Sequence, residues 1–125
     1  LKEHSRRGEI VYNVNWDMFP ELFFWNTQNR YVSGLDPIFL FAYDQGWCWK
    51  AHHLQTGEAT SQTWPSPRSH ASPGEDTYAV VKRDFGASYL ALEPRRNAEL
   101  NDYLAGDARF ERKFGDGDAV VYALK

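Results

Sequence analysis

The chain has 125 residues, 42% hydrophobic and 25% charged, with a formal net charge of −3. That length suits one domain with a real core, and the slight acidic excess argues against nucleic acid as a partner, because phosphate-backbone binders carry a basic excess. The single cysteine, Cys48, excludes an internal disulfide, and no apolar run reaches the roughly 18–20 residues needed to span a bilayer.

The opening residues up to Gly8 read as the tail of a helix closed by a glycine cap, so the chain is expected to be a segment of a longer protein. Residues 10–14, Ile-Val-Tyr-Asn-Val, predict a strand covered on both faces. Asp17 is the expected cap of a following helix, with Pro20 in its first turn and Glu21 near its positive end. Phe19, Leu22 and Phe23 give that helix a core stripe, which Met18, Phe24 and Trp25 widen. Such a helix is either buried on several sides or faces a partner.

A polar turn at 26–29 leads into a second strand over 30–35, where Gly34 marks a bulge or a close backbone approach. Asp36 and Pro37 predict the start of another helix. Residues 47–54 continue as a further short helix. Residues 55–74 are rich in Ser, Thr, Pro and Gly without periodicity, which predicts a long exposed loop. From Asp76 a helix places Tyr78, Val81 and Phe85 on one face and stops at Gly86. Residues 87–92 predict a third buried strand, and 95–105 a helix with Leu100, Tyr103 and Leu104 inward. Two strands, 110–114 and 119–124, flank the hairpin signal Gly115-Asp116-Gly117-Asp118.

Helix-linked strands imply parallel pairing by right-handed crossovers. The predicted fold is therefore α/β: a three-layer mixed sheet of about five strands, mostly parallel with a C-terminal antiparallel hairpin, and helices on both faces.

Ligands on open α/β sheets bind beyond the carboxyl ends of the strands. The candidate ligand-binding residues are Asn13, Asn15, Trp16 and Asp17 after the first strand, Asn29 and Arg30 at the second, and Asp36 beyond it. Amides and carboxylates beside an indole can hold a sugar's hydroxyls and its apolar face; the same residue types also serve as caps and turn formers. Cys48 and His52 have the spacing of one helix turn, but no second pair completes a zinc set, and Asp116-Gly117-Asp118 lacks the glutamate of a calcium loop. Neither dinucleotide nor P-loop glycine patterns occur, and there is no nucleophile elbow. The residues thus predict no cofactor, no metal and no catalytic set.

Three stretches carry a resemblance: residues 8–13 with 16–24 and 29–37 (Gly-Glu-Ile-Val-Tyr-Asn, Trp-Asp-Met-Phe-Pro-Glu-Leu-Phe-Phe, Asn-Arg-Tyr-Val-Ser-Gly-Leu-Asp-Pro), Asp84-Phe85-Gly86-Ala87-Ser88-Tyr89-Leu90, and Ala119-Val120-Val121-Tyr122. Together they resemble the soluble C-terminal domain of bacterial and archaeal polytopic membrane proteins of the glycosyltransferase type that uses lipid-linked sugars. The resemblance implies a non-catalytic, extracytoplasmic domain whose partners are the transmembrane portion of the same protein and a glycan or lipid-linked sugar. It transfers no catalytic residue to this chain, because the family's catalytic acids are expected near the membrane portion. The alternative that the residues leave open is a free-standing domain or enzyme binding a small, sugar-like molecule at the polar corner.

Overall fold

The computed structural model of the chain describes residues 5–15, 28–31, 45–56, 61–65 and 74–125. Within them the elements run β1 (Ile10–Asn13), β2 (Arg30–Tyr31), α1 (Gln45–Thr56), β3 (Gln62–Thr63), β4 (Glu75–Asp76), α2 (Thr77–Ala79), a π-helical turn (Val80–Asp84), β5 (Ala87–Leu92), α3 (Ala98–Gly106), β6 (Phe110–Gly115) and β7 (Val120–Leu124). The helix expected after Asp17, the rest of the second strand and the helix expected at Asp36 lie outside the described residues.

The main sheet has five strands in the order β2-β1-β5-β7-β6. The α/β character and the mixed sheet are as the pattern predicts, but the expectation of mostly parallel pairing is corrected. β1 pairs in parallel with β2 and β5, whereas β7 pairs antiparallel with both β5 and β6. The cause lies in the hairpin's two sequences. β7 reads Val-Val-Tyr-Ala-Leu and is buried at four of its five positions, while β6 reads Phe-Glu-Arg-Lys-Phe-Gly and is mostly exposed. The apolar strand therefore takes the interior position beside β5, and the charged one takes the edge, where a break in register between Arg112 and Phe114 further blunts it.

One face of the sheet presents Tyr12, Leu90, Leu92, Val120 and Tyr122 to all the described helices, which answer with Leu54 from α1, Val80 and Val81 from the π turn, and Leu100 and Leu104 from α3. Tyr12 stacks on Phe85 with ring centroids 4.7 Å apart. The other face carries Val11, Tyr89, Ala91 and Val121, which are also buried. Burial on both faces is why β1 and β5 read as nearly continuous apolar runs.

The predicted loop over 55–74 holds more structure than its composition suggests. Gln62–Thr63 pairs antiparallel with Glu75–Asp76, and Trp64 and Thr63 are buried. Thr63 donates its hydroxyl to the Lys50 carbonyl at 2.8 Å, which fixes this short ribbon to α1. Gly74 is required there, since a Cβ would lie 2.8 Å from Gln62 Cβ and 3.0 Å from the Trp64 ring. Asp76 then caps α2 by accepting from Ala79 N at 3.1 Å. The wider π turn closes with Phe85 N donating to Val80 O at 3.1 Å, leaving Lys82 and Arg83 outward.

Candidate functional site

At the carboxyl end of β1 the strand continues past its ladder, and Val14 N donates to Ala91 O at 2.9 Å. Asn13 and Asn15 follow the strand inward and are fully buried. Asn13 Nδ2 donates to the Asn15 carbonyl at 3.3 Å, and Asn15 Nδ2 donates to Asn97 Oδ1 at 2.7 Å. Asn97 is the hub of the group. Its Oδ1 also accepts from Glu93 N at 3.2 Å, and its Nδ2 donates to the Gln55 carbonyl at 3.2 Å. One amide thus ties the end of β1 to the turn after β5, the C-terminus of α1 and the start of α3. Asn97 stands at the N-cap of α3, yet its side chain caps nothing there. Its hydrogen-bonding capacity goes to tertiary partners instead.

Asn29 and Arg30 stand at the other rim. β2 runs parallel to β1 with Arg30 opposite Ile10, so both residues lie where β1 begins. The two rims are roughly 10 Å apart at the usual rise of an extended strand. Asn29 Nδ2 donates to the Glu9 carbonyl at 3.1 Å and the Arg6 carbonyl at 3.3 Å, while its Oδ1 accepts from Ser5 Oγ at 2.7 Å. Gly8, at φ +88°, makes the turn that this amide braces. Arg30 is exposed and uses its backbone N–H on Glu9 O at 3.1 Å. The seven candidate residues are therefore not one constellation: Asn13 and Asn15 share a rim, Asn29 and Arg30 share the opposite one, and Trp16, Asp17 and Asp36 lie outside the described residues.

Two ionic groups lie outside the seven candidate residues. Lys50 is buried on α1, and its Nζ lies 2.7 Å from both Glu75 Oε2 and Asp84 Oδ2. Arg83 reaches the same two acids from outside, at 3.1 Å and 2.7 Å. Opposite charges alternate around this ring of four. Burial pulls the Lys50 ammonium toward its neutral form, but bonds to Asp84 and Glu75 outweigh that and hold it above its ordinary value. Arg83, and then Lys50, hold Asp84 below the usual carboxylate range.

Arg109 forms the second group. It takes both oxygens of Asp76 at 2.8 and 3.0 Å and pairs with Asp107 at 2.8 Å. Its guanidinium also lies over the Tyr78 ring, 4.8 Å from the centroid. These bonds push Asp107 far below the carboxylate range, while burial with the Asp107 bond pushes the Tyr103 phenol up to about 12.

A sequence signal for Lys50 existed. It stands three and four residues before His53 and Leu54, so a cation occupies the apolar stripe of α1. Asn97 carried a weaker signal as a cap residue before a helix; nothing in the sequence pointed from it to Asn15. Cys48 and His52 do share α1. Among the described residues, no group of three or more His, Cys, Asp or Glu is arranged to hold a metal ion, and no helix is long and apolar enough to cross a membrane.

No protein-family model, no curated protein and no solved structure matches this chain.

Proposed function

We propose that the chain is a non-catalytic, extracytoplasmic soluble domain of a polytopic membrane glycosyltransferase-like protein. In this reading it contacts the transmembrane portion of the same protein, with a glycan or lipid-linked sugar as its ligand. The family part of the proposal rests on the sequence blocks at residues 8–37, 84–90 and 119–122. The observation that carries the non-catalytic part is the fate of the strand-end amides. Asn13 and Asn15 turn inward and hold the fold through Asn97, rather than facing a substrate. A three-layer arrangement belongs to the same reading, and the burial of Val11, Ala91 and Val121 on the second sheet face supports it. A free-standing sugar-binding domain would need those amides accessible, so it stands behind this proposal.

The test is cellular. An antibody raised against this chain should detect, in cells that express the native gene, a membrane-fraction species far larger than 125 residues. Its epitope should be cut by protease added outside intact cells stripped of their wall. A soluble species of the chain's own size would overturn the reading.

A further inference from the structure

The carboxyl rim of the sheet carries two guanidinium groups that hold no carboxylate among the described residues. The turn at 93–97 follows β5, and the turn at 115–119 joins β6 to β7. Both stand at one rim, because β5 and β6 each run antiparallel to β7. They are two strand positions apart, roughly 10 Å at the normal strand spacing. Arg95 leans across that interval: its Nη2 lies 3.8 Å from where a Cβ on Gly117 would be. Arg112 folds over the glycine that ends β6. A Cβ on Gly115 would sit 2.5 Å from Arg112 Nε and 2.7 Å from its Cζ, so the guanidinium occupies the place of the missing side chain.

Lys50, Arg83, Arg96, Arg109 and Lys113 each hold a carboxylate. Among the described residues, Arg95 and Arg112 hold none and make no side-chain hydrogen bond. Acids stand close by. Glu93 is taken by Arg96, and Asp116 folds its Oδ1 onto the N–H groups of Asp118 and Ala119 at 2.7 and 2.9 Å. Asp118 shares the turn, and Asp102 and Arg112 act on the Tyr122 phenol in opposite directions, the acid raising its pKa and the guanidinium lowering it. Two exposed guanidiniums thus flank a turn whose two glycines carry no side chain and whose Asp116 carboxylate is folded back onto its own backbone, at the rim where open α/β sheets take their ligands.

We propose that Arg95 and Arg112 form a binding site for a phosphate-bearing ligand, a phosphomonoester or pyrophosphate, seated over the turn between Gly115 and Gly117. The planar fork of a guanidinium matches two phosphate oxygens, and a doubly charged phosphate repays two such forks better than a carboxylate does. The site does not depend on the membrane assignment above. Its failure leaves that assignment standing, and the converse also holds.

The experiment is a titration of the chain with inorganic pyrophosphate at constant ionic strength, following the backbone amide signals of Gly115, Gly117 and Ala119 by NMR. The expected result is a saturable shift, weakened at least about tenfold in R95Q and in R112Q, since each removes a charge-assisted contact. Gly115→Ala is the sharper probe. The added methyl meets the flexible end of Arg112 rather than backbone, so it displaces the guanidinium while leaving net charge and fold intact; binding should again fall. Co-sedimentation with phosphatidylcholine vesicles doped with a polyprenyl phosphate identifies a lipid-borne ligand. Pyrophosphate binding without co-sedimentation identifies a soluble one. A wild-type response no greater than that to sodium chloride overturns the proposal, as does unchanged affinity in R95Q and R112Q or in Gly115→Ala.

Discussion

Asn15 and Asn97 are 82 residues apart in the chain and share a buried 2.7 Å hydrogen bond between their side-chain amides. Through it the first strand of the sheet is locked to the start of α3. Replacing Asn97 with Ala would strand the Asn15 amide bond, Glu93 N and the Gln55 carbonyl together. Buried groups left unsatisfied cost about 1–3 kcal/mol each before relaxation. Asn97→Ala is therefore expected to lower unfolding free energy by about 2–4 kcal/mol, measured by urea denaturation. A loss under about 0.5 kcal/mol would mean that the amide hub holds nothing.

Tyr12 is the opposite case. Its ring is fully buried against Phe85, but its hydroxyl has no hydrogen-bond partner among the described residues. Burial alone pushes the phenol's pKa well up. Phe at this position keeps the stacking and removes the unmatched polar atom. The Tyr12→Phe chain should be as stable as the parent or more stable by about 1 kcal/mol. A clear loss in thermal midpoint would show that the hydroxyl is bonded in solution.

The four-charge ring predicts an ordering. Lys50→Met removes the buried cation, but Arg83 still serves both acids, so the cost should be modest, about 1–3 kcal/mol. Asp84→Asn should cost more than Glu75→Gln, because the Asp84 side chain is 13% exposed and that of Glu75 39%. Chemical denaturation of the three variants decides the order. If Glu75→Gln is the most damaging, its tie to the β3–β4 ribbon outweighs burial.

Acid should weaken the fold in a defined window. Asp76, Asp84 and Asp107 all have folded-state values below those of a free carboxylate. A depressed carboxylate contributes stability that is present above its unfolded value, near 4, and is lost as pH falls through the lower folded value. Stability from these groups should be flat from neutrality to about pH 5 and decline below about pH 4. Arg109 is the first cause of the shift in both Asp76 and Asp107. Arg109→Gln should therefore flatten the decline, read as the change in urea midpoint between pH 6 and pH 3. An equal slope in parent and variant would remove Arg109 from the account.

The longer strands were legible in the sequence because burial writes itself into composition, whereas the short β3 and β4, in and beside the expected loop, were not. Residues 10–14 and 87–92 are apolar on both faces, and the structure pairs them in parallel with each other. The helix at 47–54 and the hairpin around Gly115 to Asp118 were legible for the same local reasons, periodicity and turn chemistry. The candidate site was much less so. A polar residue at a strand end looks the same in sequence whether it faces solvent, as Arg30 does, or is buried, as Asn15 is.

By itself, then, the amino-acid order determined that 10–14 and 87–92 are buried strands and that the chain turns at 115–118, since both depend on neighbours a few positions away; the burial of Thr63 and Trp64 it did not show. Only the tertiary structure decided that β7 lies between β5 and β6, that Lys50 meets Glu75 and Asp84, and that Asn15 finds Asn97. Those outcomes depend on which surfaces meet after distant segments come together, and local sequence holds no record of a partner dozens of residues away.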